Sequence, residues 1–116
     1  MASSTRHTLG ALIGLLCFVA LVTAQTITGS ISGAVTDSNG GVIPGAAVTL
    51  VGEKTGQSRT ATTDSDGRLS FAALHPGSFV LKIDRESFQT YEQREVILSA
   101  NEKLSLPEVK LLPGQV

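Results

Sequence analysis

The sequence predicts an all-β fold, a seven-stranded Greek-key β-sandwich, placed after an N-terminal signal peptide. Three observations point to it. Polar, glycine-bearing breaks recur roughly every 10 to 15 residues through the chain after Gln25. The segments between them alternate apolar and polar positions, the period of a half-buried strand. No stretch beyond Gln25 keeps the 3.6-residue apolar period of a helix for three turns.

The elements follow in order. Residues 1–24 read as the signal peptide, with a basic start at Arg6 and His7 and an apolar run from Leu9 to Val22. That run is short for a helix crossing about 30 Å of hydrocarbon. Small or β-branched residues at Val22 and Ala24 place cleavage after Ala24, so the exported domain is 25–116. Cys17, the only cysteine, lies inside the apolar run, so the domain must be held by its core rather than by a disulfide.

Seven strands are then expected, at 29–36, 46–51, 58–63, 68–71, 78–84, 92–98 and 103–111. Ile31, Gly33 and Val35 share one face of the first, and Val48 and Leu50 one face of the second. Phe71 and Phe79 are expected in the core, with Leu81 and Ile83 continuing the inward row. Val96 with Leu98, and Leu104 with Leu106, repeat the alternation. Pro107 marks the last strand as an edge or a bulge, because proline donates no ladder hydrogen bond.

Composition narrows the function classes. The 116-residue chain carries a net charge of −1, so it lacks the basic surplus that neutralises phosphates, and no nucleic-acid partner is expected. With 41% hydrophobic and 16% charged residues it is too apolar for a disordered chain. Tryptophan is absent, which weakens any expectation of tight sugar binding on aromatic platforms.

The stretch TDSDGRLSFAALHPGSF, Thr63 to Phe79, gathers Asp64, Asp66 and His75 and invites a metal or catalytic reading. A calcium loop starting at Asp64 would need an oxygen ligand at its fifth position and a glutamate at its twelfth, where Arg68 and His75 stand. His75 is the only histidine after residue 24, and a zinc hydrolase commonly uses three protein ligands. No metal, cofactor or catalytic residue is therefore expected. Turn chemistry accounts for the same residues. Asp64 and Asp66 start a hairpin loop that Gly67 completes at positive φ, and Pro76 with Gly77 sets the two corners of a second turn.

ISGAVTDSNGGVIPGAAVTL, Ile31 to Leu50, and TTDSDGRLSFAALHPGSFVLKI, Thr62 to Ile83, resemble the two signatures of carboxypeptidase regulatory-like domains. SFQTYEQREVILSANEKLSL, Ser87 to Leu106, is similar to the closing strands of that family. The resemblance implies a transthyretin-like sandwich that accompanies enzymes without supplying their ligands. It also implies kinship with the N-terminal extensions of TonB-dependent outer-membrane receptors, hence a periplasmic, outer-membrane-associated or secreted place. Such receptors continue into a plug and a barrel, and the chain stops at LLPGQV, so a receptor fragment and a free-standing domain both stay open. Ser87 stands where the family often has glycine, which would strain that turn if its φ is positive.

The expected role is non-catalytic: a structural or protein-interaction module whose partner is a protein or the outer-membrane receptor machinery. The alternative is weak carbohydrate binding with a starch-binding-like fold. Phe88 and Tyr91, three apart, are the residues for a glycan or partner contact, either as a small exposed platform or as a cover on the open end of the sandwich.

Overall fold

The computed structural model describes residues 27–114. Residues 1–24, read above as a signal peptide, and Cys17 among them lie outside this range. Eight strands and no helix are present among the described residues. They are β1 (Gly29–Thr36), β2 (Ala47–Gly52), β3 (Ser58–Thr62), β4 (Arg68–Leu74), β5 (Gly77–Asp84), β6 (Tyr91–Leu98), β7 (Lys103–Ser105) and β8 (Val109–Lys110).

One sheet has the order β4-β1-β7, with β8 also pairing β1; the other runs β3-β2-β5-β6. β7 and β8 both run parallel to β1, against its first and second halves. The single last strand expected at 103–111 is thus two short strands. The chain leaves the ladder at Leu106–Glu108, where Pro107 has no N–H to give.

The core lies between the sheets and follows the alternation: Ile31, Val35, Val48, Leu50, Leu69, Phe71, Leu81, Ile83, Val96 and Leu98 are buried. Phe79 is only half-buried and packs against this cluster, as Leu104 and Leu106 also do. Ile43, Ala46, Leu74, Val109 and Leu111 complete the core from outside the expected inward rows.

Two bulges explain where strict alternation fails. Ile31 faces Phe71 but Gly29 faces Leu74, so Ala72 and Ala73 share the place opposite Ser30, with Ala73 at φ 54°. The extra residue resets the parity and buries both Phe71 and Leu74, three apart. It also carries β4 to Leu74, past the end expected at Phe71. On β6, Arg94 and Glu95 together oppose Val80, with Glu95 at φ 56°. The Glu95 N–H donates to Oε1 of Glu53, 3.3 Å away on the β2–β3 turn. Bulge and charges together blunt this edge strand against pairing with other chains.

The turn expected at His75–Gly77 is a different object. Gly77 has φ 157°, far from the value near 80° of a type II corner, and it already pairs with Leu98 as the first residue of β5. β4 and β5 belong to different sheets, so the chain crosses between layers here and does not fold back on itself.

Candidate binding surfaces

Asp64 sits where β3 gives way to β4. Its Oδ1 accepts the N–H of Asp66 at 2.9 Å and of Arg68 at 3.0 Å. The Gly67 N–H donates to the Asp64 carbonyl at 2.9 Å, and Gly67 has φ 72°. Asp66 is exposed and contributes its backbone to the turn. The local geometry is that of a hairpin loop, yet β3 and β4 lie in different sheets, so the loop is a corner between layers. Gly67 is buried there: its carbonyl accepts the Val35 N–H at 2.7 Å.

The same turn occurs twice. Thr36-Asp37-Ser38-Asn39-Gly40 matches Thr63-Asp64-Ser65-Asp66-Gly67 at four of five positions. Asp37 Oδ1 accepts the N–H groups of Asn39 and Gly41 at 2.9 and 2.8 Å, the Gly40 N–H donates to the Asp37 carbonyl at 3.1 Å, and Gly40 has φ 85°. This twin motif was readable from the sequence as a repeat of TDS, an Asn or Asp, and Gly. Both carboxylates hold backbone amides, which is what each turn needs to replace lost ladder bonds. His75 is exposed in the crossover between β4 and β5, away from a shared site with these aspartates. Among the described residues, no three His, Cys, Asp or Glu side chains come together as a metal site.

Phe88 and Tyr91 are both half-buried and packed against the core. Phe88 forms a bridge with Pro113, and Tyr91 faces inward opposite Ile83 with its hydroxyl donating to Gln93 Oε1 at 3.1 Å. They lie over part of the core. The segment after β8 ties that cover down: Gln89 N–H donates to the Leu112 carbonyl at 2.8 Å, and Gly114 N–H to the Ser87 carbonyl at 2.9 Å. Ser87, just before Phe88, takes φ 74°, the strained geometry expected of a non-glycine residue there. A small hollow of about 80 Å³ lies beside Tyr91, lined by Gln89, Thr90, Lys110, Leu111 and Leu112.

A larger open cleft of about 650 Å³ was not foreseen. Ser32 and Ala34 of β1, Ala61 and Thr62 of β3, and Arg68 and Ser70 of β4 line it, with Asp64 and Ser105 at its margin. Ser32 pairs with Ser70 on one side and Ser105 on the other, so three exposed serines share one register on strands about 4.8 Å apart. Small side chains on neighbouring strands make the room. Its sequence signal is slight: serines at 32, 70 and 105, each next to an apolar residue of its strand.

The model of the carboxypeptidase regulatory-like domain matches residues 30–112. The chain belongs to that family. A carboxypeptidase regulatory-like domain is thus the whole sandwich described here, from β1 to the segment after β8. Several solved structures share its fold at low identity. Catechol 1,2-dioxygenase from Acinetobacter radioresistens aligns over 78% of this chain and 53% of its own, with 13% identity and a TM-score of 0.60. A chain of the type II cohesin–X-dockerin complex from Acetivibrio cellulolyticus aligns over 74% and 58%, with 20% identity and a TM-score of 0.58. A candidate carbohydrate-binding protein from Bacteroides uniformis aligns over 76% and 43%, with 15% identity and a TM-score of 0.59. The chain spans little more than half the length of the first of these neighbours. A search among curated protein sequences found no match.

Proposed function

We propose that the chain is a non-catalytic exported module with a structural or protein-interaction role, the N-terminal extension or a fragment of a TonB-dependent outer-membrane receptor. One observation supports the non-catalytic part: the Asp64 carboxylate beside the main cleft accepts two backbone amides through Oδ1 and so serves the turn. What remains is an open cleft of small hydroxyl side chains, a surface suited to docking a chain segment. The neighbour from the cohesin–X-dockerin complex, a fold of this kind within a protein complex, is consistent with that use.

A photocrosslinker at position 70, in cells expressing the chain, tests the reading. The expected result is an adduct with an outer-membrane-fraction protein that a bulky Ser32→Phe substitution removes. Retention in the cytoplasm, or metal-dependent peptidase activity in the purified protein, would overturn it.

Weak carbohydrate binding is the second reading, favoured by the three-serine row and by the Bacteroides uniformis neighbour. Titration with soluble polysaccharides separates the two. Saturable binding that survives Phe88→Ala and Tyr91→Ala but is lost in Ser32→Phe would assign the cleft to glycans; no saturable binding would remove this reading.

A further inference from the structure

The first of the twin turns places a reactive dipeptide at its tip. Asn39 precedes Gly40, and Asn39, Gly40 and Gly41 are all exposed. A Cβ built on Gly40 would meet nothing within 4 Å, so the segment has space to rearrange. In such a dipeptide the glycine amide nitrogen can attack the asparagine Cγ. The new N–C bond closes a five-membered imide as the side-chain nitrogen leaves as ammonia. Water then opens the imide, giving aspartate if the newer N–C bond breaks, or isoaspartate if the main-chain carbonyl is attacked instead.

We infer that Asn39 is a spontaneous deamidation site whose rate is set by opening of its turn, and whose aspartate product leaves the fold intact. The gating is visible in the hydrogen bonds. The Gly40 nitrogen that must attack is held by its N–H to the Asp37 carbonyl, and Asp37 Oδ1 holds the amides on either side. Reaction requires those bonds to be released, which an exposed loop does more readily than the core.

The second turn shows what the product looks like. Converting Asn39 to aspartate makes residues 36–40 read TDSDG, the sequence of residues 63–67. That sequence already holds the same pattern of bonds, with Asp66 in the place of Asn39. Isoaspartate instead inserts a methylene into the backbone and cannot keep it. Asp66-Gly67 can form the same imide in principle. Gly67, however, is buried, and its carbonyl accepts the Val35 N–H, so the second turn opens only with the domain.

The test incubates the full chain in mildly alkaline buffer and follows the amide-to-acid mass gain by peptide mapping. Folded protein is expected to convert at Asn39, more slowly than the same chain in denaturant, with no isoaspartate at Asp66. Asp37→Ala removes both bonds to Oδ1 and is expected to speed conversion by about fivefold or more, since one good hydrogen bond already contributes about that factor to a local opening, whereas Asp37→Asn, which can still accept both amides, leaves it near the parent rate. Asn39→Asp is expected to keep the parent melting temperature, a readout that needs no reaction. Asn39 intact in the folded chain after denatured chain has fully converted would overturn the inference. So would an unchanged rate in a folded Asp37→Ala variant, or a lowered melting temperature in Asn39→Asp.

Discussion

The turns at Thr36–Gly40 and Thr63–Gly67 share sequence, hydrogen-bond pattern and the positive φ of their glycines, yet they hold different places in the molecule. The first hangs off the end of β1 in solvent. The second turns the corner between the sheets and is wedged against the end of β1. A Cβ on Gly67 would lie 2.6 Å from the Val35 carbonyl oxygen and 3.1 Å from the Ile43 nitrogen. The threonines differ likewise. Both are buried at 4% exposure. Thr63 Oγ1 accepts the Ala46 N–H at 2.8 Å and donates to the Ile43 carbonyl at 2.7 Å, while Thr36 Oγ1 has no partner. Local sequence sets the shape of a turn; tertiary contacts set what the fold loses without it.

Substitutions can break that contrast. The largest effect is expected from Gly67→Val, about 3 to 5 kcal/mol from backbone strain added to overpacking, a large share of the stability of a small domain. Chemical denaturation measures it, and Gly40→Val, strained but unobstructed, should lose only about 1 to 2 kcal/mol. Thr63→Val comes next at about 2 kcal/mol, because it strands a buried N–H and a buried carbonyl. Thr36→Val should be neutral or slightly stabilising, since it removes a hydroxyl that bonds to nothing; equal losses at the two threonines would contradict the distinction. Ser87→Gly, at another positive φ, should raise stability by about 0.5 to 1 kcal/mol, read as a higher melting temperature. Asp66→Ala should leave the melting temperature insensitive to calcium, because Asp66 gives the turn only its backbone.

Much of the sandwich was legible because alternation and turn residues are local signals. β1 begins and ends where its pattern does, from Gly29 to Thr36. The misses have physical causes. Alternation cannot foretell the parity reset at Ala72–Ala73, so Leu74 was left out of the core. Pro107 was read as an edge or a bulge of a single strand; the edge holds, but the single strand is two, because the two halves of β1 each took a separate short partner. A Pro-Gly pair suits a reversal, but the demand of β4 and β5 for different sheets overrode it. For the candidate surfaces, Phe88 and Tyr91 stood out as aromatics and became a cover over the core. The cleft arises from small residues brought together by pairing across strands, which spacing along one strand does not display.

Native-state hydrogen exchange at the amides of Gly40 and Gly67 tests the central claim most directly. Each donates to the carbonyl of its own aspartate, at 3.1 and 2.9 Å. The account predicts that Gly40 exchanges through local opening, at a free energy well below that of global unfolding, while Gly67 exchanges only when the whole domain unfolds. Equal protection at the two amides would contradict it.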